Sequence, residues 1–239
     1  FDACIAHRTL FEKTIISTDE ISTSFKDKIM KRLFLLSGIL LILVSCAKPN
    51  IYDPNARIKV SIDDDKYIIP LNHITRPDTG SYASFETDMG GAYFFWPSGR
   101  GLTKEDKNPS VLEYDDNIIK FYWTAKNSGI VGNDMSTRVD IVKKTNRKNM
   151  EQDKFRLKAY IDNNDDSIIS YTGNIYPNSP TTIRCLMATN DEQNSVCQME
   201  YLHPIYNNNI LLEFSGKNLA DWQSINTMAI NYMEKWHKD

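Results

Sequence analysis

The stretch NILLEFSGKNLADWQSINTMAINYMEKWHK, Asn209 to Lys238, decides the fold. Its first six residues are a short apolar run with the look of a strand. Beyond Gly216 the spacing changes. Leu219, Trp222, Ile225, Met228, Ala229, Tyr232 and Trp236 recur every three or four residues, which places them on one face of a helix. The helix is expected to span about Leu219 to His237, with Asn218 as N-cap and Asp221 in the first turn, where a carboxylate favours the helix dipole. The aromatic stripe could face a membrane surface, but the opposite side is not basic. Packing onto a sheet is the better use of it.

Working back from the helix, the preceding sequence supplies the sheet. Arg57–Ile62 and Lys66–Pro70 alternate around Asp63-Asp64-Asp65, which reads as a hairpin turn. A calcium loop would space its acidic ligands and set a glycine at the bend; three consecutive Asp do not. Ala83–Thr87 and Ala92–Trp96 read as short strands around Gly90-Gly91. Pro97-Ser98-Gly99-Arg100-Gly101 follows as a loop. Asn117–Ala125 and Met135–Lys144 are expected to be longer strands. Phe155–Ile161 and Ser167–Thr172 are split by the turn residues Asn163-Asn164-Asp165-Asp166. Thr181–Met187 and Val196–Leu202 flank the polar loop Ala188–Ser195. The expected class is α+β: a mostly antiparallel β-sheet with the C-terminal amphipathic helix packed on it.

The N-terminal part carries a different signal. Met30-Lys31-Arg32 is a short positive start, and Leu33–Leu43 is an uncharged run of eleven residues. This is the pattern of a secretory signal peptide, too short for a bilayer-spanning helix of about 20 residues. Leu43-Val44-Ser45-Cys46 resembles the lipobox of bacterial lipoproteins, which implies cleavage before Cys46 and acylation of its sulfur. An ordinary signal peptide with a chance cysteine is the plainer alternative. Two or three acyl chains anchor stably where one is marginal. Ala47, in place of an aspartate, resembles outer-membrane retention in a Gram-negative cell. The expected organisation is an untranslated or misannotated extension at 1–29 (the alternative being a genuine extension that buries the signal), a lipoprotein signal peptide at 30–45, a tether at 46–56 and one α+β domain at 57–239.

Composition narrows the function. From Cys46 onward the chain holds 22 Lys and Arg against 26 Asp and Glu, a net charge of −4. No basic stripe offers itself to nucleic acid. Cys185 and Cys197 allow a single intramolecular pairing in an exported chain, and a hairpin would bring them together; two reduced thiols are the alternative. Beyond position 46 the only histidines are His73, His203 and His237, with no metal-binding spacing. There is no GxSxG elbow and no phosphate-cradling glycine loop. No catalytic residue, metal or cofactor is expected, and the chain reads as a non-enzyme; a small periplasmic hydrolase with a triad dispersed in sequence is the weaker alternative.

Three segments carry a resemblance. Lys66-Tyr67-Ile68-Ile69-Pro70-Leu71-Asn72-His73-Ile74 has a strand, Pro, x, Asn, x, Ile opening. Ala92–Pro97 continues through Gly101-Leu102-Thr103 to Asn108. The third joins Cys185, Cys197, the Asn209–Phe214 strand, Leu219, Trp222 and Ile225. Together they resemble the periplasmic immunity proteins paired with type VI secretion phospholipase effectors, especially the phospholipase D-like ones. The Asp63–Asp65 turn and the late start at Met30 depart from that group. The resemblance implies a lipid-anchored periplasmic protein that binds and inhibits a secreted phospholipase. Under it, Trp96 and Arg100, beside a Gly/Pro loop, are candidate effector-binding residues, with Trp96 in the core and Arg100 simply solvated as the plainer alternative. Tyr82, Asp88 and Met89, and the loop Asn190–Asn194, are further candidates. A structural or assembly lipoprotein of the envelope is the competing function.

Overall fold

Alternation of buried and exposed residues builds much of the described chain into strands, and the computed structural model describes residues 50–53, 55–74, 84–87, 89–106, 115–124, 135–187 and 195–238. The described strands are β1 (Arg57–Ile62), β2 (Asp65–Pro70), β3 (Ser84–Glu86), β4 (Met89–Phe95), β5 (Ile118–Thr124), β6 (Asn146–Lys154), β7 (Leu157–Asp162), β8 (Ile168–Tyr176), β9 (Ser179–Met187), β10 (Ser195–Leu202), β11 (Asn209–Ser215) and β12 (His237–Lys238). The helices are α1 (Met135–Thr145) and α2 (Trp222–Trp236), with 3-10 turns at Leu71–His73 and Gly216–Asp221. These elements belong to one compact unit, Ile51–Asp78 with Ala83–Asp239.

The strands form two sheets. The larger runs β4-β5-β11-β10-β9-β8-β7-β6; the smaller runs β12-β2-β1-β3. All described pairings are antiparallel except β1 with β3. The class is therefore α+β, with the C-terminal helix packed on largely antiparallel sheet, as the sequence leads one to expect. Asp63 and Asp64 make the β1–β2 turn, with Asp63 in the left-handed region at φ 51°. The Asn163–Asp166 turn is closed by Asn164 N–H to Asp162 and Ser167 N–H to Asp165, short acidic side chains capping their own backbone.

α2 buries Trp222, Ile225, Asn226, Ala229, Ile230, Met233 and Trp236. Trp236 lies against Phe121 with ring centroids 6.3 Å apart, Phe121 stacks on Trp123 at 4.7 Å, and Trp123 meets Tyr67 of β2 edge-on at 5.2 Å. This aromatic column joins the helix, the large sheet and the small sheet. The helix begins later than its periodicity suggests. Leu219 is buried from the 3-10 turn, whose cap is Ser215 accepting from Lys217 N–H. Asn218 does not cap: its amide donates to the Asp116 carbonyl at 2.7 Å.

Other expectations are corrected. Met135–Lys144 is not a strand but α1. Val139, Ile141 and Val142 are β-branched and read locally as extended. The buried residues, however, are Met135 and Val139, four apart, while Ile141 is half exposed. Helical spacing docks α1 beside β9 and lets Arg138 pair with Glu200 of β10. Tertiary packing overrides propensity here. The segment after it, Asn146–Lys154, holds few apolar residues and gave no strand signal, yet it forms β6. As the outermost strand of the sheet it carries Arg147, Lys148 and Lys154, a composition that suits an edge exposed to water.

Gly90 and Gly91 do not separate two strands; they lie inside β4, opposite Trp123 and Tyr122. β3 pairs instead with β1 in the other sheet. A Cβ on Gly90 would overlap the Trp123 indole. Gly90→Ala is expected to cost about 1–3 kcal/mol by overpacking. For a domain of this size that is roughly 2–4 °C of Tm per kcal/mol in a thermal melt. An unchanged Tm would show that Trp123 has room to move.

Candidate functional site

β4 leaves the sheet at Phe95 and enters Trp96-Pro97-Ser98-Gly99-Arg100. Phe95 N–H donates to the Arg100 carbonyl at 2.9 Å and Gly99 N–H to the Phe95 carbonyl at 2.7 Å, so the loop closes on itself. The Trp96–Pro97 peptide is cis. Gly99 sits at φ 72° with the Tyr232 hydroxyl and the Met228 sulfur beside it, leaving no place for a side chain. The Tyr232 hydroxyl also donates to the Gly99 carbonyl, which fastens the loop to α2. The Trp96 indole N–H donates to Asp221 at 3.3 Å, at the start of that helix.

Arg100 is equally fixed. Its guanidinium lies 3.8 Å from the centre of the Phe95 ring. Its two terminal nitrogens donate to the two oxygens of Asp106 at 2.6 and 2.9 Å. Thr103 adds N–H and hydroxyl donors to the same carboxylate. Arg100's hydrogen bonds hold the Asp106 carboxyl below the usual carboxylate range. Planar, paired and stacked, this arginine gives up little further freedom on binding. Its side chain is still 43 % exposed. The loop is thus a fixed surface knob with an aromatic ring and a guanidinium.

Of the other candidates, Met89 is exposed but stands at the opposite end of β4, roughly 20 Å from Trp96 at the rise of an extended strand, and does not join the loop. Tyr82, Asp88, Cys46 and the loop Asn190–Asn194 lie outside the described residues. Cys185 and Cys197 face each other across β9 and β10 and are disulfide-bonded.

A second protrusion gave no signal in sequence. The β6–β7 hairpin turns at Phe155 and Arg156, both in the left-handed region, with φ 53° and 65°. Phe155 looks like the first residue of a strand because it is aromatic and no Gly or Asn marks the bend. The buried Trp222 donates its indole N–H to the Phe155 carbonyl at 3.2 Å. Consecutive residues, Asp221 and Trp222, therefore hold the two protrusions to the start of α2.

The histidines do not converge on a site. His73 is buried, its Nδ1 2.9 Å from the Tyr93 carbonyl, and packs against the stacked rings of Tyr232 and Trp236. His203 is buried under Tyr206, and its Nδ1 accepts the N–H groups of Ile205 and Tyr206. Burial pushes both pKa values below the ordinary histidine value, which favours the neutral ring. His237 lies 3.3 Å from Asp65 in the small sheet. Among the described residues no cluster of three or more His, Cys, Asp or Glu is placed to hold a metal ion, and no helix is long and apolar enough to cross a membrane.

No protein-family model matches the chain, and no curated protein matches it significantly. A solved structure does share the fold. An immunity protein of the Stenotrophomonas maltophilia type IV secretion system superposes with a TM-score of 0.52, covering 77 % of this chain and 94 % of its own, at 11 % identity. The iron-regulated outer membrane lipoprotein FrpD of Neisseria meningitidis gives a TM-score of 0.49, covering 78 % of this chain and 96 % of its own, also at 11 % identity.

Proposed function

We propose that this chain is a lipid-anchored periplasmic immunity protein, a binder rather than an enzyme, that inhibits an antibacterial effector secreted by the cell or its kin. The observation that carries the reading is the Trp96–Arg100 knob: a half-buried aromatic and an exposed guanidinium stand side by side at the surface, already ordered. Trp and Arg are the residue types that dominate protein–protein hot spots, and fixed side chains lose little entropy on association. The fold shared with a secretion-system immunity protein supports the class. The sequence resemblance described above supports a phospholipase, phospholipase D-like, as the effector. Acylation at Cys46 would hold the inhibitor on the outer membrane, where such an enzyme meets its lipids, and raise its local concentration.

The test is co-expression. The product of the gene adjacent to this one is directed to the periplasm, with and without this chain. Cells are expected to die without it and survive with it, and a pull-down then to recover both proteins. Cys46→Ser is expected to move the protein out of the membrane fraction and to weaken protection. Absence of a toxic neighbour, or of protection by the wild-type chain, ends the immunity reading.

A further inference from the structure

A two-residue hairpin turn with both residues left-handed is built best from Asn-Gly, because those residues tolerate positive φ. The β6–β7 turn uses Phe155 and Arg156 instead. A bulky aromatic at φ 53° is costly, and such backbone outliers concentrate where function retains them. The ring gains little burial in return: Phe155 is 44 % exposed. Lys154 stands 5.6 Å from its ring centre, and Arg156 is exposed beside it. The Trp222 bond to the Phe155 carbonyl fixes the tip, so the ring is displayed rather than loose.

Charge is distributed the same way. Residues 135–158, which form α1, β6 and the tip, hold eight Lys and Arg against three Asp and Glu, a net of +5, and of these cations Arg138 and Arg147 pair with Glu200 and Asp166 outside the segment. The whole chain is at −3, so everything else sums to −8. Protection of an edge strand accounts for cations along β6. It does not account for an exposed phenylalanine at the tip, held in a conformation that disfavours it.

We infer that the Phe155–Arg156 tip is the anchor by which this chain enters its effector, with the ring seated in an apolar pocket and Arg156 paired with a carboxylate at the pocket rim. The inference rests on the immunity reading and names its interaction surface and partner chemistry. The occupant is the surface of the secreted effector, because an exposed aromatic beside an exposed guanidinium, on a net-positive segment of an otherwise acidic chain, suits an apolar pocket with an acidic margin. The Trp96–Arg100 knob, held to the same helix start, supplies a further contact.

Phe155→Asn separates binding from folding, since Asn suits the left-handed turn and keeps the Trp222 bond to the backbone. In the full chain it is expected to melt at or near the wild-type temperature. Titrated against the purified effector whose toxicity the wild-type chain suppresses, it is expected to bind roughly 30-fold or more weakly, as hot-spot removal does. Arg156→Glu is expected to slow association and to flatten its dependence on salt. Phe155→Asn that binds within about 3-fold of wild type, while the wild-type chain protects, overturns the tip as anchor. A wild-type chain that neither binds nor protects overturns the immunity reading, and the tip with it; the wild-type arm tells the two failures apart.

Discussion

Trp222→Ala is expected to be the most damaging single substitution near the binding surface, at about 3–5 kcal/mol. Trp222 is 2 % exposed and is among the largest fully buried side chains of the described residues. Truncation leaves a cavity between the start of α2 and the large sheet that so rigid a sheet cannot fill by collapse. It also removes the donor to the Phe155 carbonyl and frees the β6–β7 tip. The expected record is a large fall in the denaturant midpoint, with hydrogen exchange accelerated across 154–157. Trp222→Phe keeps most of the volume but not the N–H. It should recover most of the stability while leaving the exchange at the tip fast. If both variants exchange like wild type at the tip, the indole bond does not hold it.

Loss of the disulfide is the second large effect. Cys185 and Cys197 are 12 residues apart in sequence and directly opposed in β9 and β10. Both sulfurs belong to the buried side of the hairpin. Closing a loop of this length stabilises by about 3 kcal/mol in the chain-entropy model. Cys185→Ser with Cys197→Ser should therefore lower stability by that order. Thiol labelling of periplasmic protein before and after reduction checks the bond itself: two labelled cysteines are expected only after reduction. Labelling of both before reduction would show that the bond does not form in the cell.

The two effects act on opposite sides of one problem. An inhibitor that must hold a surface ready for its partner gains from every group already ordered before binding. Trp222 orders the tip from below, and the disulfide ties together two central strands of the sheet against which α2 packs. Neither residue needs to touch the effector. Their variants should reduce protection through stability, whereas Phe155→Asn should reduce it without loss of stability.

Much of this architecture is legible in the sequence because burial on one face imposes a period. The alternation through Arg57–Pro70, Thr181–Met187 and Val196–Leu202 points to strand, and the spacing up to Trp236 points to helix although the α-helix itself starts only at Trp222, so the α+β class follows. The opposition of Cys185 and Cys197 follows from the hairpin between them. Trp96 and Arg100 could be singled out from the Gly/Pro loop they flank. What sequence could not decide depends on partners far along the chain. Whether Val139 to Val142 are strand or helix is settled by docking beside β9. Gly90 is fixed by Trp123, not by a turn. The turn at Phe155 defies local preference and is held by Trp222, 67 positions away, while Trp96 is held by Asp221, 125 positions away. Local propensities differ by about 1 kcal/mol or less per residue, and a single buried tryptophan outweighs them.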